Sequence, residues 1–263
     1  MSVRYALPLL ALAGALACAR PASAPESAPE PWIPLFNGRD LDGWVPKLAG
    51  LELGQDPGRT FRVEDGVLRV VYDGVESFDG RFGHLFYRTP FARYRLRVEY
   101  RFTGEQAPGA PEWAWRNSGV MLHSQAPESM AVEQAFPVSL EAQLLGGDGE
   151  RRRPTANLCT PGTEVAMGGE VVHEHCVDSS SETFHGDRWV TVELEVRGGD
   201  VLRHFVDGRV VIEYSAPHLD PHDPDARRLL EEGCPPALEQ GYIALQAESH
   251  PVEFRRVDLL PLD

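Results

Sequence analysis

The stretch VTVELEVRGGDVLRHFVDGRVVIEY, residues 190–214, alternates apolar and polar side chains in three successive runs. In the first run Val190, Val192, Leu194 and Val196 share one side, and Thr191, Glu193, Glu195 and Arg197 share the other. A period of two marks a strand with one buried face, and Gly198-Gly199 and Asp207-Gly208 stand where the chain would reverse. Outward from this stretch the pattern repeats. FRVEDGVLRVVY, residues 61–72, places Glu64-Asp65-Gly66 between two apolar runs, a hairpin signal. YRLRVEYRF, residues 94–102, sets Leu96, Val98, Tyr100 and Phe102 against Arg95, Arg97, Glu99 and Arg101. VSLEAQLLGG, residues 138–147, opposes Val138, Leu140, Ala142 and Leu144 to Ser139, Glu141 and Gln143. GYIALQA and PVEFRRVDLL close the chain in the same manner, and the best helical segment, DPDARRLLEEG at 223–233, is short. Many short alternating strands joined by turns predict an all-β fold, a jelly-roll sandwich of two antiparallel sheets. The longest stretches without strand signal are 103–116 and 145–186, lengths that suit functional rims or lids.

Composition sets further bounds. The 263 residues are 42% hydrophobic and 25% charged, enough for one large core. A formal net charge of -15 repels a nucleic-acid backbone or an anionic membrane surface, so no nucleic-acid partner is expected and a neutral or cationic ligand fits better. Residues 1–24 read as an export signal: MSVR is a positive start, and YALPLLALAGALA is an apolar run too short to span a bilayer. Two processing sites compete, Ala15-Leu16-Ala17 before Cys18, which resembles a lipobox with Cys18 acylated, and Ala22-Ser23-Ala24, which is followed by an unfavourable Pro25. The expectation is a lipoprotein or periplasmic protein, touching membrane only through a lipid on Cys18. Residues 25–31 finish the Pro-, Ala-, Ser- and Glu-rich stretch ARPASAPESAPEP, a tether, and the folded domain is expected over 32–263.

Export places Cys159, Cys176 and Cys234 in an oxidising compartment. Cys159 and Cys176 bracket a short Gly-rich segment, and a disulfide closing it would stabilise the fold by about 3 kcal/mol on chain-entropy grounds. Cys234 is then the odd thiol, expected as a buried small hydrophobe. His173 and His175 beside Cys176 raise a zinc site, against which stands the absence of a Cys-x-x-Cys pair.

Polar residues able to move protons or hold hydroxyls recur at strand faces and ends: His84, Asn117, His123, Glu141, Gln143, His185, Glu248 and His250. By strand parity His123 shares a side with Met121, which would bring it onto the outward face beside Glu141. Imidazole titrates near neutral pH and a nearby carboxylate can be tuned toward it. A lone carboxylate on a strand face is by default merely solvated, and a lone histidine is by default structural. Trp113 and Trp115 offer either a sugar-stacking platform or loop packing. A Glu-x-Asp-x-x-Glu strand of the laminarinase type is absent, with Gln143 standing where the aspartate would be, which weakens a standard two-carboxylate mechanism.

Taken in order, PLFNGRDLDGW, FRVEDGVLRV, NSGVMLHSQ, SLEAQLLGG, HGDRWVTVELEVRGGDVLRHFVDGRVVIEY and GYIALQAESHPVEFRRVDLLPL resemble the 3-keto-disaccharide hydrolase family from about Trp32 to the C-terminus. The resemblance implies a concanavalin A-like jelly roll, export, and action on a small carbohydrate oxidised at C3. A C3 ketone acidifies the C2 hydrogen, so that a base can form an enolate, expel the C1 substituent and leave an unsaturated sugar for water to attack. The implied roles are Glu141 or His123 as base and His250 or His84 as acid or enolate donor. Gln143, Asn117, Glu248, His185 and Trp115 are the expected sugar contacts. No cofactor is certain; a divalent cation held by clustered His and Glu is left open. A lectin-like binding module and an interaction scaffold are the alternatives, since fold does not choose function.

Overall fold

The computed structural model describes Met1 and residues 32–263. The export signal, Cys18 and the 25–31 tether lie outside the described residues. In chain order the strands are β1 (Ile33–Pro34), β2 (Trp44–Leu48), β3 (Phe61–Glu64), β4 (Val67–Val70), β5 (Gly83–Tyr87), β6 (Arg93–Phe102), β7 (Asn117–Ser124), β8 (Leu140–Leu145) and β9 (Asn157–Cys159). They continue with β10 (Thr163–Met167), β11 (Glu170–Val172), β12 (Cys176–Val177), β13 (Val190–Arg197), β14 (Val201–Val206), β15 (Arg209–Leu219), β16 (Tyr242–Ala247) and β17 (Val252–Pro261). The larger sheet runs β11-β10-β15-β14-β13-β6-β17-β4-β3, with β1 also on β17; the smaller runs β12-β9-β8-β7-β16-β5-β2. All ladders between these strands are antiparallel.

Alternation decides which face each strand buries. Tyr94, Leu96, Val98, Tyr100 and Phe102 of β6 enter one core cluster with Val120 and Leu122 of β7 and Leu140, Ala142 and Leu144 of β8. The polar side of β6 is equally ordered: Arg95 donates to Glu195 (3.1 Å), Arg97 to Glu193 (2.8 Å) and Arg101 to Glu253 (2.7 Å). The outer face of the larger sheet is thus a lattice of cross-strand ion pairs, each worth at most about 1 kcal/mol but leaving those groups satisfied.

The hairpin turns fall where the glycines predict them, with Asp65 and Gly66, and Asp207 and Gly208, in the left-handed region. The helix α1 (Pro224–Glu231) begins where Asp223 accepts hydrogen bonds from the N–H groups of Asp225 and Ala226. Among the described residues no helix is long and apolar enough to cross a membrane. The 145–186 stretch, expected without strands, contains β9 to β12: hydrogen bonding to existing sheet edges orders segments too short to carry a periodic signal. Cys159 and Cys176 form a disulfide between directly paired residues of β9 and β12. Cys234 is a free thiol but exposed, not buried as expected, because the loop after α1 leaves it at the surface.

Candidate functional site

On β8 the alternation that buries Leu140, Ala142 and Leu144 turns Glu141 and Gln143 to the outer face of the smaller sheet. Their partners on β7 are Met121 and Gly119. A Cβ on Gly119 would stand 2.5 Å from Glu141 Oε1 and 2.8 Å from its Cγ, so only glycine lets this carboxyl lean across the strand. Across the sheet Lys47 pairs with His84, His84 with Gln246, and Gln143 with both Gly119 and Asn157. Because Leu245 faces Val120, Gln246 falls opposite Gly119, and one polar row crosses the sheet.

Unlike that ion-pair lattice, this face of the smaller sheet carries several groups without partners. Among the described residues both side-chain polar atoms of Gln246, both ring nitrogens of His84, Asn117 Oδ1 and Glu248 Oε2 are buried and lack a hydrogen bond. Buried polar atoms are nearly always satisfied, so a cluster of free ones beside a cavity is the mark of a ligand site. The cavity measures about 360 Å³ and is lined by Trp113, Asn117, Phe136, Glu141, Gln143 and Glu248, with the Cys159–Cys176 disulfide in its wall. A second hollow of about 470 Å³ shares Trp113, Asn117 and Gln143 and adds Arg151 and Arg153.

Glu141 is 6% and Glu248 4% exposed. Burial pushes the Glu141 carboxyl up to about 8. Burial, and then the charge of Glu141, hold Glu248 well above the ordinary carboxylate range. Two neighbouring buried carboxyls disfavour a double charge, so near neutral pH both are largely protonated, and as the pH approaches about 8 Glu141 ionises and can take a proton while Glu248 keeps one to give. His84 is held neutral, its imidazole pushed down to about 3 by burial and by nearby Lys47. Lys47 is itself fully engaged, donating to the carbonyls of Leu48 (3.0 Å), Leu51 (3.1 Å) and Val132 (2.9 Å).

The structure gathers Glu141, Glu248, Gln143 and Asn117 at the cavity. His84 lies on the same face, three strands from Glu141; it does not line the cavity, but its ring packs 6.0 Å from that of Phe136, which does. His123 does not share Glu141's face. Between Tyr242 and Ala244 the β7 ladder slips, His123 takes φ 46°, and its Nε2 reaches the Gly198 carbonyl at 3.0 Å. The bulge reverses the parity on which the expectation rested. His250 also lies apart, buried against Trp115 and Phe102, each ring centroid 5.7 Å away. Trp115 is held between the Arg116 and Arg153 guanidiniums, and His185 is exposed beside Gly147. At the rim stands Trp113, 54% exposed and stacked on Phe82.

Gln246 and Phe136 were not legible as site residues. Gln246 shares strand parity with Glu248 and could have been found by counting back by two; Phe136 comes from a loop with no periodic signal. Among the described residues no three His, Cys, Asp or Glu side chains converge to hold a metal ion, so the cation left open by the sequence has no three-ligand cradle among them.

Two antiparallel sheets packed face to face, with a cavity on the smaller one that Asn117 Oδ1 and Glu248 Oε2 enter without partners, define an all-β jelly-roll protein with a candidate ligand site. Residues 31–260 match the 3-keto-alpha-glucoside-1,2-lyase-like domain family, and the chain belongs to it. That membership makes it a carbohydrate-active, glycosyl-hydrolase-like protein. The fold is shared with two Parabacteroides distasonis proteins whose names place them provisionally among glycosyl hydrolases. One is 18% identical over 88% of this chain and 94% of its own, with a TM-score of 0.50. The other is 15% identical over 88% and 100%, with a TM-score of 0.52. A Bacillus subtilis protein of unknown function with a galectin-like fold is 11% identical over 87% and 93%, with a TM-score of 0.50. No curated protein matches in sequence.

Proposed function

We propose that this protein cleaves 3-keto glycosides or 3-keto disaccharides by elimination followed by hydration, with Glu141 and Glu248 as its proton-transfer pair. The observation that carries the reading is the buried carboxyl pair at the Gly119 gap, surrounded by amides with free hydrogen-bonding capacity. The C2 hydrogen and the C1 oxygen of a glycoside sit on adjacent carbons, so two neighbouring carboxyls suit both ends of the elimination. The ionised member takes the C2 proton, the enolate electrons return to expel the C1–O bond, and the protonated member delivers its proton to the departing oxygen. The products are an alcohol and a sugar with a C1–C2 double bond conjugated to the C3 ketone. Water then adds at C1 and a proton returns to C2, completing a net hydrolysis. A carboxylate whose proton affinity is raised toward neutrality is the stronger base for such a step. The Gln246 amide, and the N–H of neutral His84 for a substrate extended along the row, supply donors for the C3 oxygen as it gains charge. Gln143 and Asn117 serve ring hydroxyls, and Trp113 offers a face to a second ring.

The working form of this reading is an exported domain, carried on the 25–31 tether and lipid-anchored through Cys18 in the lipoprotein form. The test is to incubate the mature protein with a 4-nitrophenyl 3-keto-glucoside and with its unoxidised parent, following nitrophenol release. Release from the keto substrate only is expected. Turnover of neither, with measurable sugar binding, would leave a lectin.

A further inference from the structure

Far from the carboxyl pair, at the other end of β7, lies a cavity of about 640 Å³ walled by Val138, Leu219, Leu229, Leu238 and Tyr242. Consecutive strand residues normally point to opposite faces. At the bulge they do not, and His123 and Ser124 both line this space. Gly241 makes the bulge geometrically feasible, since a Cβ there would stand 2.4 Å from the His123 carbonyl carbon. His123 is 1% and Ser124 2% exposed, yet His123 Nδ1 and Ser124 Oγ have no hydrogen-bond partner among the described residues. The tautomer follows from the contact on the other ring nitrogen. Nε2 faces a carbonyl oxygen, which only accepts, so Nε2 carries the proton and Nδ1 presents a lone pair. Other polar groups lining the cavity are engaged: the Gln125 amide bonds Ser129, Gln134 and Val138, and Glu239 accepts from Gly199 N–H. No Lys or Arg lines the space, while Glu232 and Glu239 do, which disfavours a fatty acid or any other anion.

We propose that this cavity is a second binding site, distinct from the carbohydrate site, for a small uncharged apolar molecule bearing a hydroxyl. The hydroxyl donates to His123 Nδ1 and accepts from Ser124, and the apolar body packs on the leucines and Tyr242. Four residues of β7 separate His123 from Gly119, about 13 Å along the strand, so both sites can be occupied together.

The probe is p-cresol, with toluene as the counterpart that lacks the donor, titrated calorimetrically into the full mature chain. Saturable one-to-one binding of p-cresol, at least about 10-fold tighter than toluene, is expected from two buried hydrogen bonds made versus none. Ser124→Ala should weaken p-cresol about 5- to 10-fold and leave toluene unchanged. Leu238→Trp, which fills the space, should abolish both. Cys234 also lines the cavity and is exposed, so p-cresol should slow its reaction with a thiol reagent in the wild-type protein. Equal affinities for the two probes would overturn the hydrogen-bonding claim. Absence of saturable binding, or binding undiminished in Leu238→Trp with Cys234 unprotected, would overturn the site.

Discussion

Replacing Gly119 by alanine adds one methyl group at the point where the proposed chemistry is most tightly built. Gly119 sits within β7 without a left-handed φ, so the backbone accepts alanine, and strand propensity alone would stabilise the fold by about 0.5–1 kcal/mol. The new Cβ would stand 2.5 Å from Glu141 Oε1, 2.8 Å from its Cγ and 2.8 Å from Met121 Cε, where ordinary contact begins at 3.4 Å. The carboxyl must therefore withdraw by roughly 1 Å. All three atoms belong to flexible side chains, so overpacking costs no more than about 1–3 kcal/mol, partly offset by propensity. At about 2–4 °C per kcal/mol for a domain of this size, the midpoint of thermal unfolding should fall by only a few degrees. A 1 Å displacement of a proton-transfer group, in contrast, costs about 100-fold in rate. Nitrophenol release from the keto substrate should thus drop about 100-fold in Gly119→Ala while the protein stays folded. In Glu141→Gln, which lacks the group being displaced, adding Gly119→Ala should cost far less, a non-additivity that a general packing defect would not produce. Wild-type turnover in Gly119→Ala, or fully additive losses, would refute the placement of Glu141.

Glu141→Gln should reduce kcat about 100-fold or more, and a folded variant with an unchanged rate would remove Glu141 from the mechanism. Burial alone raises Glu141, and Glu248 is still protonated when Glu141 ionises, so Glu248→Gln should lower kcat while leaving the rising limb of the kcat/KM profile near its wild-type pH. Between the unfolded carboxylate range near pH 4 and about 8, the unfolded chain has lost protons that the buried pair still holds, so stability falls as pH rises. The Glu141→Gln, Glu248→Gln double variant should therefore unfold at a higher temperature than the wild type at pH 7, the gap closing near pH 4. His84, held near 3, should show imidazole NMR shifts that stay flat between pH 5 and 8. Cys159→Ser with Cys176→Ser should cost about 3 kcal/mol and lower the unfolding midpoint by roughly 6–12 °C, read by calorimetry.

Much of the sheet structure was legible because alternation is a property of neighbouring residues. The runs at 94–102 and 190–214 and the turns at Asp65-Gly66 and Asp207-Gly208 fall where their residues place them. The disulfide was legible too, since two of the three cysteines in the expected folded domain bracket a short loop. The strands of 157–177 were not, for they are three to five residues or fewer and owe their order to the edges they join. Of the proposed site residues, Glu141, Gln143, Asn117 and Glu248 meet at one cavity. His123 and His250 do not, and Trp113 rather than Trp115 reaches the rim.

Parity needs no knowledge of the rest of the chain, so wherever a strand runs without a bulge its residues alone say which side chains share a face. Only the tertiary structure decided which faces meet and what covers them. Register set Gly119 beside Gln143 and left the gap that Glu141 enters, and burial raised the proton affinity of two distant glutamates together. A one-residue slip at His123 turned its ring to a different cavity, and nothing in local alternation announces such a slip. Desolvation and pairing are long-range effects, so they act on residues whose nearness exists only after the sheets have closed.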